Sequence, residues 1–161
     1  MSTLTMADVS KPQAGESFQI ESVPNPGQLL RVKDASNRDG TPMVLYPEQA
    51  WRCMTWELQA DGEGGAVRLK NHFTHKTLAP TTAPADAAAP VVQKPVAKDP
   101  APNEAWKFEP IDGKPGQFRI VYVETGLVLE AQDNGVIVGK KPSDAAGQTW
   151  KLLPKPERFT G

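Results

Sequence analysis

The chain has 161 residues, enough for one domain with its own core. Its 18 Lys and Arg against 19 Asp and Glu leave a net charge of −1, so no global field recruits nucleic acid or an anionic membrane. A hydrophobic share of 39% and 16 prolines, about twice the usual proline share of roughly 5%, predict a loop-rich β fold with a modest core rather than a helical one.

Met1 to Gln13 has no apolar run and no cleavage-site pattern, so it does not read as a signal peptide. Residues 1–14 are expected to be a flexible lead-in. Phe18-Gln19-Ile20 then alternates apolar and polar, as a half-buried strand requires. Val23-Pro24-Asn25-Pro26-Gly27 follows as a turn whose two prolines fix the backbone around Asn25. It leads into Leu29-Leu30, and a further strand is expected at Met43-Val44-Leu45-Tyr46. Trp51 and Cys53 precede a closing Trp56-Glu57-Leu58. Cys53 is the single cysteine, which excludes an intramolecular disulfide and points to a reducing compartment.

The same order then recurs. Val67-Arg68-Leu69 opens a second unit, His75-Lys76 turns into Leu78, Val91-Val92-Gln93 makes a strand, and Trp106-Lys107-Phe108 closes it. Phe118-Arg119-Ile120 opens a third, Gly126 turns into Val128-Leu129, Val136-Ile137-Val138 follows, and Trp150-Lys151-Leu152 closes it. Four short strands per unit, three times over, predict about twelve strands. One unit cannot bury its own apolar face, so the three must pack around a shared axis. Trp56, Trp106 and Trp150 are the expected core pillars, while Trp51 stands outside the repeat. The Ala/Pro-dominated stretch 79–102 is expected to be a solvated connector, or else an arm meeting a partner protein through Lys94 and Lys98.

Gln148-Thr149-Trp150 resembles the Gln-any-Trp closure of the ricin-type β-trefoil lectins. Glu104-Ala105-Trp106 and Met54-Thr55-Trp56 keep only the Trp, and the stretch Asp39 to Tyr46 is similar to the family's middle section. The resemblance spans roughly Gly15 to Pro154. It implies an all-β trefoil of three four-stranded units over 15–62, 63–112 and 113–154, with a C-terminal tail at 155–161. The chain is also similar to mushroom trefoil proteins that are protease inhibitors.

In that family a competent unit offers an Asp that accepts sugar hydroxyls, an aromatic that stacks on the pyranose face, and an Asn before the closing motif. Carried over, the first unit has Arg31, Tyr46 and Cys53 at these places, and the second has Ala79, Lys94 and Asn103. The third has Glu130, with Gly139 or Lys140 near the aromatic position. No unit keeps all three. The resemblance therefore implies a carbohydrate-binding protein with degenerate sites, whose candidate contacts are Arg31, Tyr46, Trp51, Asn103, Glu130 and Gln148. A shifted site at Tyr46, Trp51 and Arg52 is a variant of the same idea. The alternative is a protease inhibitor presenting Pro24, Asn25 and Pro26, or the Ala/Pro-rich arm.

No catalytic constellation is visible. His72 and His75 have ligand-like spacing but lack further ligands, and no phosphate-binding Gly loop or nucleophile elbow occurs. No enzyme, metal or cofactor is expected. The expected partner is a glycan or glycoprotein, alternatively a protease, with no nucleic acid and no membrane insertion. The expected location is cytoplasmic, or secreted if the chain is a processed form.

Overall fold

A computed structural model describes residues 12–61, 64–81, 88–98 and 104–161. The first unit forms β1 (Ser17–Ser22), β2 (Gln28–Val32), β3 (Met43–Pro47) and β4 (Trp56–Ala60). The second forms β5 (Val67–Asn71), β6 (Thr77–Pro80), β7 (Ala89–Lys94) and β8 (Trp106–Ile111). The third forms β9 (Lys114–Tyr122), β10 (Val128–Ala131), β11 (Ile137–Lys140) and β12 (Trp150–Pro154). These are the strands the repeat predicts.

All pairings are antiparallel. β1, β4, β5, β8, β9 and β12 pair in a ring, closed by β12 against β1 from Phe18↔Pro154 to Ser22↔Trp150. The remaining strands form the hairpins β2–β3, β6–β7 and β10–β11. This is a β-trefoil, a closed six-stranded barrel with three hairpins. Closure removes the unpaired edges that an open sheet would expose.

The barrel forms because the alternation is right. In β5, Val67, Leu69 and Asn71 are buried while Arg68 and Lys70 stay half-buried. The barrel strands send Phe18, Ile20, Val67, Leu69, Phe118 and Ile120 into one core, joined by Leu30, Leu78 and Leu129 from the hairpins. Trp56, Trp106 and Trp150 are at most 1% exposed.

Each of these indoles donates to one carbonyl. Trp56 Nε1 reaches Leu30 O at 3.2 Å, Trp106 Nε1 reaches Leu78 O at 3.2 Å, and Trp150 Nε1 reaches Leu129 O at 3.0 Å. The three bonds make Leu30, Leu78 and Leu129 equivalent, so Arg31, Ala79 and Glu130 are equivalent too. Across the hairpins Leu29 faces Tyr46, Thr77 faces Lys94 and Val128 faces Lys140. The third counterpart of Tyr46 is therefore Lys140, and Gly139 is not.

The expectation of a solvated connector over 79–102 needs correction. Ala79 and Pro80 belong to β6, Ala89 to Lys94 form β7, and Ala79, Ala89, Val91 and Gln93 are buried. Small side chains suit this crowded hairpin. Pro90, which has no N–H to donate, instead accepts from Thr81 N at 2.8 Å. Gln93 Nε2 donates to Ser36 O and Arg38 O at 3.0 and 2.9 Å, tying the second hairpin to the first unit. Lys94, expected as a free charge on an arm, lies 3.4 Å from Glu104. Lys98 is exposed. Residues 82–87 and 99–102 of the stretch lie outside the described residues.

The segment 155–161 folds back on the first unit. Thr160 N donates to Ala50 O at 2.7 Å, and Arg52 N to Gly161 O at 2.9 Å. Among the described residues no helix is long and apolar enough to cross a membrane.

Replacing Trp150 with Phe keeps a ring in the core but leaves the Leu129 carbonyl without its indole donor. Stability should fall by about 1–3 kcal/mol. Urea unfolding should show a lower midpoint at an unchanged slope.

Candidate functional site

In the third unit Glu130 sits on β10 with its residue 9% exposed. Its carboxylate is held from three sides. Gln148 Nε2 donates to Oε1 at 3.0 Å, Gln132 Nε2 to Oε2 at 3.4 Å, and Lys140 Nζ stands 3.8 Å from Oε2. Gln148 is itself pinned, accepting from Ser143 N at 2.8 Å and donating to Lys141 O at 2.9 Å. Gln148 is 1% exposed, so its amide faces the Glu130 carboxylate rather than solvent.

Gly147 explains how the 3-10 turn Ala146–Gln148 can press against this carboxylate. A Cβ at position 147 would collide with the Ala131 carbonyl oxygen and approach Glu130 Cγ to 3.3 Å. The place where the family carries Asn thus holds the one residue that fits.

Glu130 opens onto a cleft of about 660 Å³. Its walls include Gln132, Asp133 and Asn134 of the β10–β11 turn, Ala145 to Gly147, and Pro24 and Asn25 from the first unit. Apart from Glu130, Pro24 and Asn25, these residues carry weak signals in the sequence. The readable one is Asp133-Asn134-Gly135, a hairpin-turn tripeptide three residues beyond Glu130.

The first unit is built differently. The Arg31 guanidinium lies over the Tyr46 ring, 3.7 Å from its centroid, and Trp51 stacks on the same ring at 5.9 Å and 29°. The Tyr46 ring thus carries the chain's own cation. Cys53 is buried beside Arg31. Burial pushes its thiol pKa up, an effect Arg31 partly opposes, so the thiol stays protonated at neutral pH. Met54 fills the place of Gln148 and is fully buried with Leu29 and Cys53. Arg52, the third member of the expected shifted site, is turned to Phe159, 4.9 Å from its ring.

In the second unit Glu104 replaces the Gln. It is 1% exposed and accepts from Ala97 N at 3.2 and 3.1 Å and from Arg68 Nη1 at 3.2 Å, with Lys94 at 3.4 Å. Ala79 supplies no acceptor, and Asn103 lies outside the described residues. The six expected contacts therefore do not converge. Glu130 and Gln148 meet in the third unit, whereas Arg31, Tyr46 and Trp51 stack on one another in the first.

Pro24, Asn25 and Pro26 form an exposed double turn. Asn25 N donates to Ser22 O at 3.1 Å and Gln28 N to Asn25 O at 3.0 Å. His72 accepts or donates at Nε2 with Ser17 Oγ at 2.8 Å, and its ring meets Phe159. Among the described residues no group of three or more His, Cys, Asp or Glu gathers as for a metal.

A family model described as ricin-type beta-trefoil lectin domain-like matches residues 47–141. No curated protein matches the chain. Among solved structures, a designed threefold-symmetric protein, ThreeFoil, is similar at a TM-score of 0.74 and 20% identity, over 85% of this chain and 97% of that one. The Macrolepiota procera ricin B-like lectin in complex with lactose matches at 0.73 and 19%, over 89% and 99%. The Rhizoctonia solani agglutinin matches at 0.73 and 17%, over 89% and 98%.

Gly147→Ala should cost about 1–3 kcal/mol through overpacking, read as a lower urea midpoint. A second outcome concerns pH. Burial pushes the His72 imidazole below its ordinary range, with Lys155, His75 and Arg52 adding to this and Glu57 opposing it. The unfolded chain therefore takes up the proton first, and stability should fall as pH drops below about 6.5. Thermal midpoints between pH 7 and 5 should fall less steeply for His72→Gln than for the wild type.

Proposed function

The chain belongs to the ricin-type β-trefoil lectin-like domain family, and from that premise we propose that it binds carbohydrate through its third unit, without catalysing a reaction. The observation that carries this reading is the Glu130 carboxylate, held by the buried amide of Gln148 on a residue that lines a polar cleft. A fixed carboxylate suits sugar recognition, because adjacent ring hydroxyls can both donate to it in charge-assisted bonds. Gln148 and Lys140 hold the carboxylate before any ligand arrives, which lowers the ordering cost of binding.

The aromatic platform is missing. Lys140 stands at its position and offers only an alkyl stem to the apolar face of a pyranose. Hydrogen bonding must then supply most of the affinity, and a galactose-type monosaccharide should bind with a Kd on the order of 1 mM, about −4 kcal/mol. Glu130 is asked to accept hydrogen bonds that sugar hydroxyls donate, not to take their protons. In the first unit, Arg31 on Tyr46 argues against a second site of the same kind.

Glu130→Ala should weaken galactose binding by roughly ten- to a hundredfold, the loss expected for hydrogen bonds to a charged group. Tyr46→Ala should leave it within about twofold. Titrations followed by NMR shifts of the full chain, with a glycan array beside them, read both. Absence of any shift at high sugar concentration, together with an empty array, would sink the proposal.

A further inference from the structure

Each unit's closing Trp is preceded by a carbonyl that the next unit captures. His72 N donates to Thr55 O at 3.0 Å, Val123 N to Ala105 O at 3.0 Å, and Val23 N to Thr149 O at 3.1 Å. The donors are the residues just after β5, β9 and β1, so the first turn of each unit is stapled beside the hairpin of the unit before it. Barrel closure makes the first unit follow the third, and the turn that meets the Glu130 cleft is Val23 to Gly27. The same arrangement recurs in the first unit, where Phe73 of the second unit shares a small apolar pocket with Trp51 and Cys53.

We infer that Pro24 and Asn25 form a second subsite of the Glu130 cleft, and that its ligand is a glycan of at least two linked sugars rather than a single ring. The inference rests on the carbohydrate reading of Glu130. The cleft, at about 660 Å³, lies within the roughly 300–1,000 Å³ of sites that enclose drug-sized ligands, so it has room beyond one pyranose. Its lining brings the polar side chains of Glu130, Gln132, Asp133 and Asn134 from the third unit together with Asn25 from the first. Asn25 is also held before binding. Its Nδ2 donates to Ser22 Oγ at 3.0 Å, its backbone closes turns to Ser22 and Gln28, and Gly27 N donates to Glu21 Oε2 at 2.8 Å. One amide hydrogen and Oδ1 of Asn25 remain available to a ligand. A rigid turn that presents one donor and one acceptor matches a sugar hydroxyl, which both gives and takes a hydrogen bond.

Asn25 is thereby a specificity residue supplied by a unit other than the one that supplies Glu130. The test compares galactose with lactose and longer galactose-terminated glycans, using the full chain and its Asn25→Ala and Glu130→Ala variants. The best disaccharide or trisaccharide should bind at least about tenfold more tightly than galactose. Asn25→Ala should lose that advantage while its galactose affinity, which also reports that the cleft is folded, stays within about twofold. Glu130→Ala should lose both ligands. Galactose binding with no gain from a second sugar, or a gain that survives Asn25→Ala, would overturn the subsite and leave the Glu130 reading standing. Failure of every sugar to bind would overturn both.

Discussion

Three indole-to-carbonyl hydrogen bonds set the frame on which everything else depends. Each joins a barrel strand to a hairpin of the same unit, Trp56 to Leu30, Trp106 to Leu78 and Trp150 to Leu129. A buried indole N–H with no acceptor would carry a desolvation cost of about 1–3 kcal/mol, so the hairpin carbonyl and the barrel tryptophan constrain each other. The residue after each anchored Leu then has one place to go, at the base of its unit's hairpin. Arg31, Ala79 and Glu130 occupy the same position in the frame and differ only in side chain.

That difference decides what each unit can do. In the third, a carboxylate meets an amide donor, and its residue lines a polar cleft. In the second, the carboxylate has moved to Glu104, and Arg68, Lys94 and the Ala97 N–H surround it almost wholly out of solvent. A buried carboxylate satisfied in this way holds the unit together and has little left to offer a ligand. In the first, Arg31 covers Tyr46 and Met54 fills the amide's place with an apolar side chain. The Ala97 and Ser143 N–H groups show how conservative the frame is. Each donates to the residue before the closing dipeptide, Glu104 in one unit and Gln148 in the other.

The strands were readable because the alternation and the Trp spacing both have a physical cause in the closed barrel. Every strand expected from the repeat forms, and the carry-over of Arg31, Tyr46, Ala79, Lys94 and Glu130 agrees with the register. The Ala/Pro stretch was misread because composition says little about a hairpin whose crowded neighbours demand small side chains. Gln148 was recognisable as a motif residue, but its burial behind Glu130 is a matter of geometry. The contribution of Pro24 and Asn25 to the third unit's cleft was hidden more deeply. They lie more than a hundred residues from Glu130, and only the pairing of β1 with β12 brings them together.

Barrel closure also bears on valency. Three equivalent frames could present three ligand sites, and linked sites gain avidity without any new contact. Here the Arg31 guanidinium lies on the Tyr46 ring in the first frame, and Glu104 sits in a buried ion cluster with Arg68 and Lys94 in the second. Binding through the Glu130 cleft alone would be monovalent, and a single domain could then occupy a glycan without cross-linking its carriers. Affinity in such a protein has to come from contacts along one ligand rather than from many ligands at once. A cleft lined by residues of two units suits that constraint.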